Sequence, residues 1–533
     1  MPTPPDTDIA SPAHHSIWRL PSICLAFEVH QPYRLNTRLS GEDFSKIRVG
    51  DLPEAFFDNT LNREVFLRVA KKCYLPANEI ILRSIEEAKS WGREFKVNFS
   101  MSGVFLEQAE RWAPEVIDQF RMMVDSGSVE ILEQTYYHSL ASLFGGDSDE
   151  FREQVRMHRE AAKSLFGYEP RVFENTELLY NNSVARAVWE MGYKGIMIEG
   201  VERVLQGRSP NRLYLAAGTG LKVMTRNYRL SDDIAFRFSE RSWPGYPLTA
   251  DKYASWLAAT PGDYILIFID YETFGEHHWP ESGIQEFLRH LPREVLKHEN
   301  LSFSTASEVL ERFEASDVIS VGELETISWA DVEKSTDAWL GNDMQMTCFN
   351  ALKRMERPVK SAGSQQLLRA WRALQISDHL YYMYTKRGPS GVVHAYFGYT
   401  DQMNMYYTML RALSHLQLLV SEEIGGLEGE AVRLLRPVPP DRAFHYHEDG
   451  RYIGLSAHSL YELLQTIPLA TRGSILFHMA CRHLERWVRW TIGDQVLADR
   501  IREVEADTSE ELVEKLVSVV QERIRELESR IKN

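Results

Sequence analysis

From about Ser22 the chain alternates short, almost unbroken apolar runs with longer stretches in which apolar residues recur every three or four positions. Runs apolar on both faces suit strands buried between two layers, and the longer stretches carry the helical period. The strand candidates are ICLAFEV (23–29), FKVNFSM (95–101), VEILEQ (129–134), RVFENT (171–176), GIMIEG (195–200), LKVMTR (221–226) and YILIFID (264–270). Helix candidates such as 77–91, 107–126, 149–166 and 183–191 lie between them. About seven strand-plus-helix units over ~250 residues predict an α/β fold, a closed or nearly closed barrel of parallel strands, in preference to a short open sheet.

The texture changes near 305, where helical stretches such as 306–315 and 364–386 take over. This divides the chain into a polar, Pro-rich and flexible lead-in (1–20), a catalytic barrel (21–304) and a helical region completing the site (305–420). Residues 421–440, with Gly425-Gly426 and the cluster Pro437-Val-Pro-Pro440, read as a linker. Residues 441–505 then read as a small α+β module of unnamed role, with a hairpin turning at Asp449-Gly450. In 506–533 an amphipathic helix repeats Leu512, Leu516, Val520, Ile524, Leu527 and Ile531. That stripe requires a partner, either the chain's own body or a second copy in a homo-oligomer.

The net charge of −16 repels polyphosphate and no basic patch offsets it, which removes nucleic acid from the expected partners. Four scattered cysteines, Cys24, Cys73, Cys348 and Cys481, form no C-x-x-C pair and read as free thiols. The N-terminal stretch lacks the basic-then-apolar order of a secretory signal, and no run approaches the ~20 apolar residues of a membrane span. The expectation is a cytoplasmic protein that does not engage a membrane.

Barrels carry their chemistry at the carboxyl ends of the strands, which singles out His30-Gln31-Pro32, Tyr136-Tyr137-His138, Glu177, Glu199 and Asp270. Asp270 opens the polar and aromatic phrase Asp-Tyr-Glu-Thr-Phe-Gly-Glu-His-His-Trp (270–279), where it serves either as an acid or as a helix cap. Glu177 and its neighbour Glu174 follow another strand, and two carboxylates from separate strand ends are what glycoside hydrolysis requires. If 171–177 stays extended, Glu174 and Glu177 point to opposite faces. No H-E-x-x-H motif accompanies the histidines, so His30, His138 and His277 read as hydrogen-bonding groups, with no metal and no cofactor.

Five segments in order resemble glycoside hydrolase family 57, the α-amylase and 4-α-glucanotransferase group. They are His30-Gln31-Pro32; Val129–Glu133 with Tyr136-Tyr137-His138; Phe173-Glu174-Asn175-Thr176-Glu177; Asp270–Gly275; and Trp329-Ala330-Asp331-Val-Glu333-Lys334. The resemblance runs from about Ser22 to Tyr407. It implies an incomplete (β/α)7 barrel, with Glu177 as nucleophile and Asp270 as general acid/base of a retaining reaction on α-1,4-glucans such as starch, glycogen or maltodextrin. The form of the fourth segment resembles the α-amylase subgroup. His30, Gln31, His138, Glu272, His277, Trp279, Trp329 and Asp331 are the candidates for binding sugar. The alternatives are a glucanotransferase using the same residues and a catalytically silent glucan-binding protein.

Overall fold

The computed structural model describes residues 21–39, 41–145, 148–330, 332–386 and 401–531. The expected lead-in 1–20 lies outside them.

The strands of the main sheet are β1 (Ser22–Val29), β2 (Val97–Met101), β3 (Val129–Leu132), β4 (Val172–Glu174), β5 (Gly195–Glu199), β6 (Tyr214–Ala216), β7 (Lys222–Arg226), β8 (Tyr264–Asp270), β9 (Ser302–Phe303) and β10 (Val318–Ile319). Seven of them close a ring of parallel neighbours in the order β1-β2-β3-β4-β5-β7-β8 and back to β1. Two joins are thin. β3 meets β4 through the single bridge Glu133–Phe173, and β7 meets β8 at Arg226–Leu266. β6 adds antiparallel to β7, so the barrel has seven parallel staves.

Along each stave alternate residues point inward. Cys24, Ala26, Leu132, Val172, Met197, Met224, Leu266 and Phe268 form one interior cluster, whereas Ile23, Leu25, Phe27, Ile265, Ile267 and Ile269 pack under the surrounding helices. The helix Ala306–Arg312 plugs the amino-terminal end of the barrel with Ala306, Val309 and Leu310.

The helices Asp343–Ser361, Gln365–Leu374 and Gln402–Ile424 pack in a second core shared with β4 and β5. The single helix expected over 364–386 is interrupted: Gln365–Leu374 ends, Ile376 takes an extended conformation, and Ser377–Tyr381 begins a new helix. Likewise 107–126 divides at Ala113 into Gly103–Trp112 and Pro114–Asp125.

The expected linker 421–440 is not one. It contains the end of the Gln402–Ile424 helix and all of Gly426–Leu434, and Ala431, Leu434, Leu435 and Val438 are buried in the core of the C-terminal module. Gly425-Gly426 marks a turn between packed helices, which glycine permits at φ 67° and 59°. Beyond it, β11 (Phe444–Glu448) and β12 (Arg451–Ala457) pair antiparallel, followed by helices. The last of these, Ser509–Glu528, buries Leu512, Leu516, Val520, Ile524 and Leu527 against this module. The apolar stripe packs against the chain's own body, one of the two partners expected for it.

Candidate active site

At the carboxyl end of the barrel the inward positions turn from apolar to polar on nearly every stave. The row contains Glu28 on β1, Ser100 on β2, Glu174 on β4, Glu199 on β5, Arg226 on β7 and Asp270 on β8, with Glu28 beside both Ser100 and Asp270 in register. Glu174 follows inward-facing Val172 and accepts a 2.9 Å hydrogen bond from Ser100.

Glu177 reaches the same mouth by a different route. The strand stops at Glu174, and Glu177 and Leu178 adopt left-handed conformations (φ 60° and 51°), which cost side-chain-bearing residues about 1 kcal/mol or more each. Backbone bonds hold this turn in place. Leu178 N–H donates to Asn175 O at 2.7 Å, Trp329 N–H donates to Glu177 O at 3.2 Å, and Tyr180 and Ile327 exchange a pair of 3.0 Å bonds. The expectation of opposite faces for Glu174 and Glu177 therefore fails, because the chain does not stay extended between them. Trp329 Nε1–H donates to Glu177 Oε2 at 2.7 Å and Ser377 Oγ–H donates to Oε1 at 2.9 Å.

The imidazole of His138 lies between carboxyl groups, 3.5 Å from Glu177 Oε1 through Nε2 and 3.2 Å from Glu28 Oε1 through Nδ1. Burial opposes its charge, but the hydrogen bond and negative charge of Glu177 prevail and raise its pKa above the ordinary histidine value. His30 stacks on it with ring centroids 4.1 Å apart. Burial and that neighbouring cation push His30 down to about 4, so it is neutral at pH 7. Asp378 accepts from His30 Nε2–H at 3.0 Å, which leaves Nδ1 to accept from the Ser102 hydroxyl at 2.7 Å.

Asp270 is held in the opposite sense. Burial, reinforced by Glu177, raises its pKa to about 7 against the opposing pull of Arg226 and His138. Burial also takes Glu272 and Glu174 to about 8. Glu272 Oε1 accepts from the Tyr74 hydroxyl and, at 3.3 Å, from the His30 backbone N–H. One mouth thus combines a carboxylate surrounded by donors with a carboxyl that keeps its proton to near neutrality.

Of the expected sugar-binding residues, His30, His138, Glu272 and Trp329 border this pair. The Gln31 side chain accepts from Arg34 at 3.2 Å and also bonds the Tyr74 hydroxyl that donates to Glu272. His277 follows the turn Tyr271–Phe274 and is half-buried, its imidazole pushed down to about 4 by desolvation. Trp279 is 62% exposed beneath the Lys72 ammonium, which lies 4.6 Å from the ring centroid. Among the described residues no hydrogen bond or ring contact joins it to the mouth. Asp331 lies outside the described residues. Sequence reasoning missed Ser377 and Asp378, which stand beside other polar residues such as Arg372, Gln375 and His379 and carried no signal to set them apart.

The sequence model of glycosyl hydrolase family 57 matches residues 24–322. A Methanocaldococcus jannaschii protein described as a putative alpha-amylase is 46% identical over 409 residues, 75% of this chain and 85% of the relative. A 4-alpha-glucanotransferase from Thermococcus litoralis is 24% identical over 260 residues, covering 47% of this chain but only 36% of the relative. The crystal structure of a family 57 branching enzyme from Thermococcus kodakaraensis superposes with a TM-score of 0.54 at 14% identity, over 76% of this chain and 91% of that one, a likeness of fold. The chain belongs to glycosyl hydrolase family 57 and is a glycosidase.

Proposed function

We propose that the protein cleaves α-1,4-glucans as an α-amylase-type enzyme, by double displacement with retention of configuration. The observation that carries this reading is the contrast between the two carboxyl groups in one mouth. Glu177 has both oxygens accepting hydrogen bonds and in front of it an imidazole whose pKa is raised, whereas Asp270 holds a proton up to about pH 7.

In the first step a Glu177 oxygen attacks the anomeric carbon as the C1–O bond breaks, and the Asp270 proton passes to the departing oxygen. In the second, the Asp270 carboxylate takes a proton from water, the water oxygen attacks C1, and Glu177 is released. Asp270 thereby regains its proton. His138 balances the charge of Glu177, and Trp329 holds that same carboxylate through its indole N–H. No metal or organic cofactor enters this scheme. The relative from M. jannaschii supports the amylase reading, and the shorter match to a glucanotransferase keeps transfer to a second sugar as the alternative.

Product analysis on maltoheptaose separates these readings. Hydrolysis yields only shorter oligosaccharides and glucose, whereas transfer yields chains longer than the substrate. Absence of any product across pH and temperature would leave a glucan-binding protein without turnover.

A further inference from the structure

Glu199 stood out as an acid at a strand end, yet the scheme above gives it no part. Its side chain is wholly buried at the end of β5, where Oε1 accepts from Gly200 N–H at 2.8 Å and Oε2 faces two cations. Arg226 Nη1 lies at 3.0 Å and Lys334 Nζ at 3.3 Å. Burying a carboxylate with two cations is expensive unless each is tied further, and each is.

Lys334 Nζ donates to the Trp329 carbonyl at 2.7 Å, and Arg203 donates to the carbonyls of Glu333 and Lys334 at 2.6 and 2.9 Å. The loop so fixed is the one whose Trp329 meets Glu177 through both its backbone N–H and its indole. Arg226 Nε donates to the carbonyl of Phe268 at 2.7 Å, two residues before Asp270, while Nη2 pairs with Asp232 at 2.7 Å. Its guanidinium sits 5.9 Å from the Trp329 ring centroid. Two lines of contact therefore leave Glu199, one ending on Glu177 and the other beside Asp270.

We infer that Glu199 is a positioning residue for the proposed displacement, anchoring through Lys334 the indole that grips Glu177 and neutralising through Arg226 the cation that faces Asp270. The inference rests on the reading of Glu177 and Asp270 as the reacting pair. Glu199, Asp232, Arg226 and Lys334 together balance in charge, and replacing Glu199 by Gln leaves one uncompensated positive charge beside Asp270. The other charged or titratable groups facing Asp270 are Glu177, His138, Asp378, Glu28 and Glu272, none of which the substitution alters. Asp270 then loses its proton at lower pH, and the alkaline limb of the pH–rate profile moves down.

The test is the pH dependence of kcat and kcat/KM on maltoheptaose for the wild type, Glu199→Gln, Glu199→Asp and Lys334→Met, with circular dichroism as a check of folding. Glu199→Gln is expected to lower kcat about tenfold with little change in KM and to move the alkaline limb down by about one pH unit. Lys334→Met is expected to lower kcat without moving that limb down, because it removes a cation instead of freeing one. Glu199→Asp is expected to restore part of both effects. A loss of activity in Glu199→Gln with the limb unmoved shows mere structural damage and overturns the inference. If Glu199→Gln does not fold, wild-type kcat in Lys334→Met overturns it instead. A wild-type profile without an alkaline limb, or Asp270→Asn retaining turnover, would remove the underlying reading of the pair and the inference with it.

Discussion

Two buried carboxylate–arginine pairs sit in different parts of this chain. In the C-terminal module Asp494 and Arg523 form a two-pronged pair at 2.8 and 3.2 Å, and Asp494 also caps the helix Gln495–Arg502. In the barrel mouth Glu199 and Arg226 are buried as deeply, but their pair opens onto Lys334, Asp232 and the site of two further acids. Among the described residues the module's pair continues only to Glu526 at the surface and fastens helices together, whereas the pair at the mouth lies beside groups whose protonation the proposed reaction would change.

The comparison breaks most sharply at the reacting carboxyls. Glu177→Gln and Asp270→Asn are each expected to lower kcat on maltoheptaose by about 10²–10⁴-fold or more while the proteins remain folded. Glu174→Gln is the control and should lose far less. Glu174 is already protonated at pH 7, so the amide replaces a neutral group of the same shape. Comparable loss in Glu174→Gln would move the chemistry to that residue.

In the module the expected effect falls on stability. Asp494→Ala leaves buried Arg523 with only the partly exposed Glu526, 3.0 Å away, as its partner and removes a helix cap, with an expected cost of about 3 kcal/mol in denaturant unfolding and wild-type kcat at temperatures where the variant is folded. Loss of turnover by the folded variant would show that the module is coupled to the site.

A smaller effect sharpens the contrast through pH. Asp270, Glu174 and Glu272 have folded-state pKa values raised to about 7, 8 and 8, so above their unfolded values near 4 the native state retains protons that the unfolded chain releases. Stability is therefore lost as pH rises from about 4 to 8. Asp270→Asn removes part of that penalty and is expected to raise Tm at pH 8 more than at pH 5. Equal changes at both pH values would contradict the raised proton affinity. Trp279→Ala lies at the end of the scale, with stability expected within about 0.5 kcal/mol of wild type and kcat/KM unchanged. A clear rise in KM would return Trp279 to the sugar path.

The barrel was legible because its staves are apolar on both faces, and the ends of those runs pointed to His30, His138, Asp270 and the neighbours Glu174 and Glu177, the preference for Glu177 resting on the family resemblance. Three things were not legible, each for a local reason. The left-handed turn at Glu177 has no glycine to announce it, and it is held by a loop 150 residues away, so strand parity misplaced Glu174. The break at Ile376 lies inside a stretch with an unbroken helical pattern, and it is this break that brings Ser377 and Asp378 to the mouth. The glycines and prolines of 421–440 suggested a linker, but they punctuate short packed helices whose burial depends on the module that follows.

The central claim is that Glu177 forms a covalent intermediate while Asp270 handles the proton. Its most direct measurement is proton NMR of the first-formed product from maltoheptaose, followed before mutarotation. The account predicts that the new reducing end appears as the α-anomer and equilibrates only later. Initial appearance of the β-anomer would contradict double displacement, even with both residues essential.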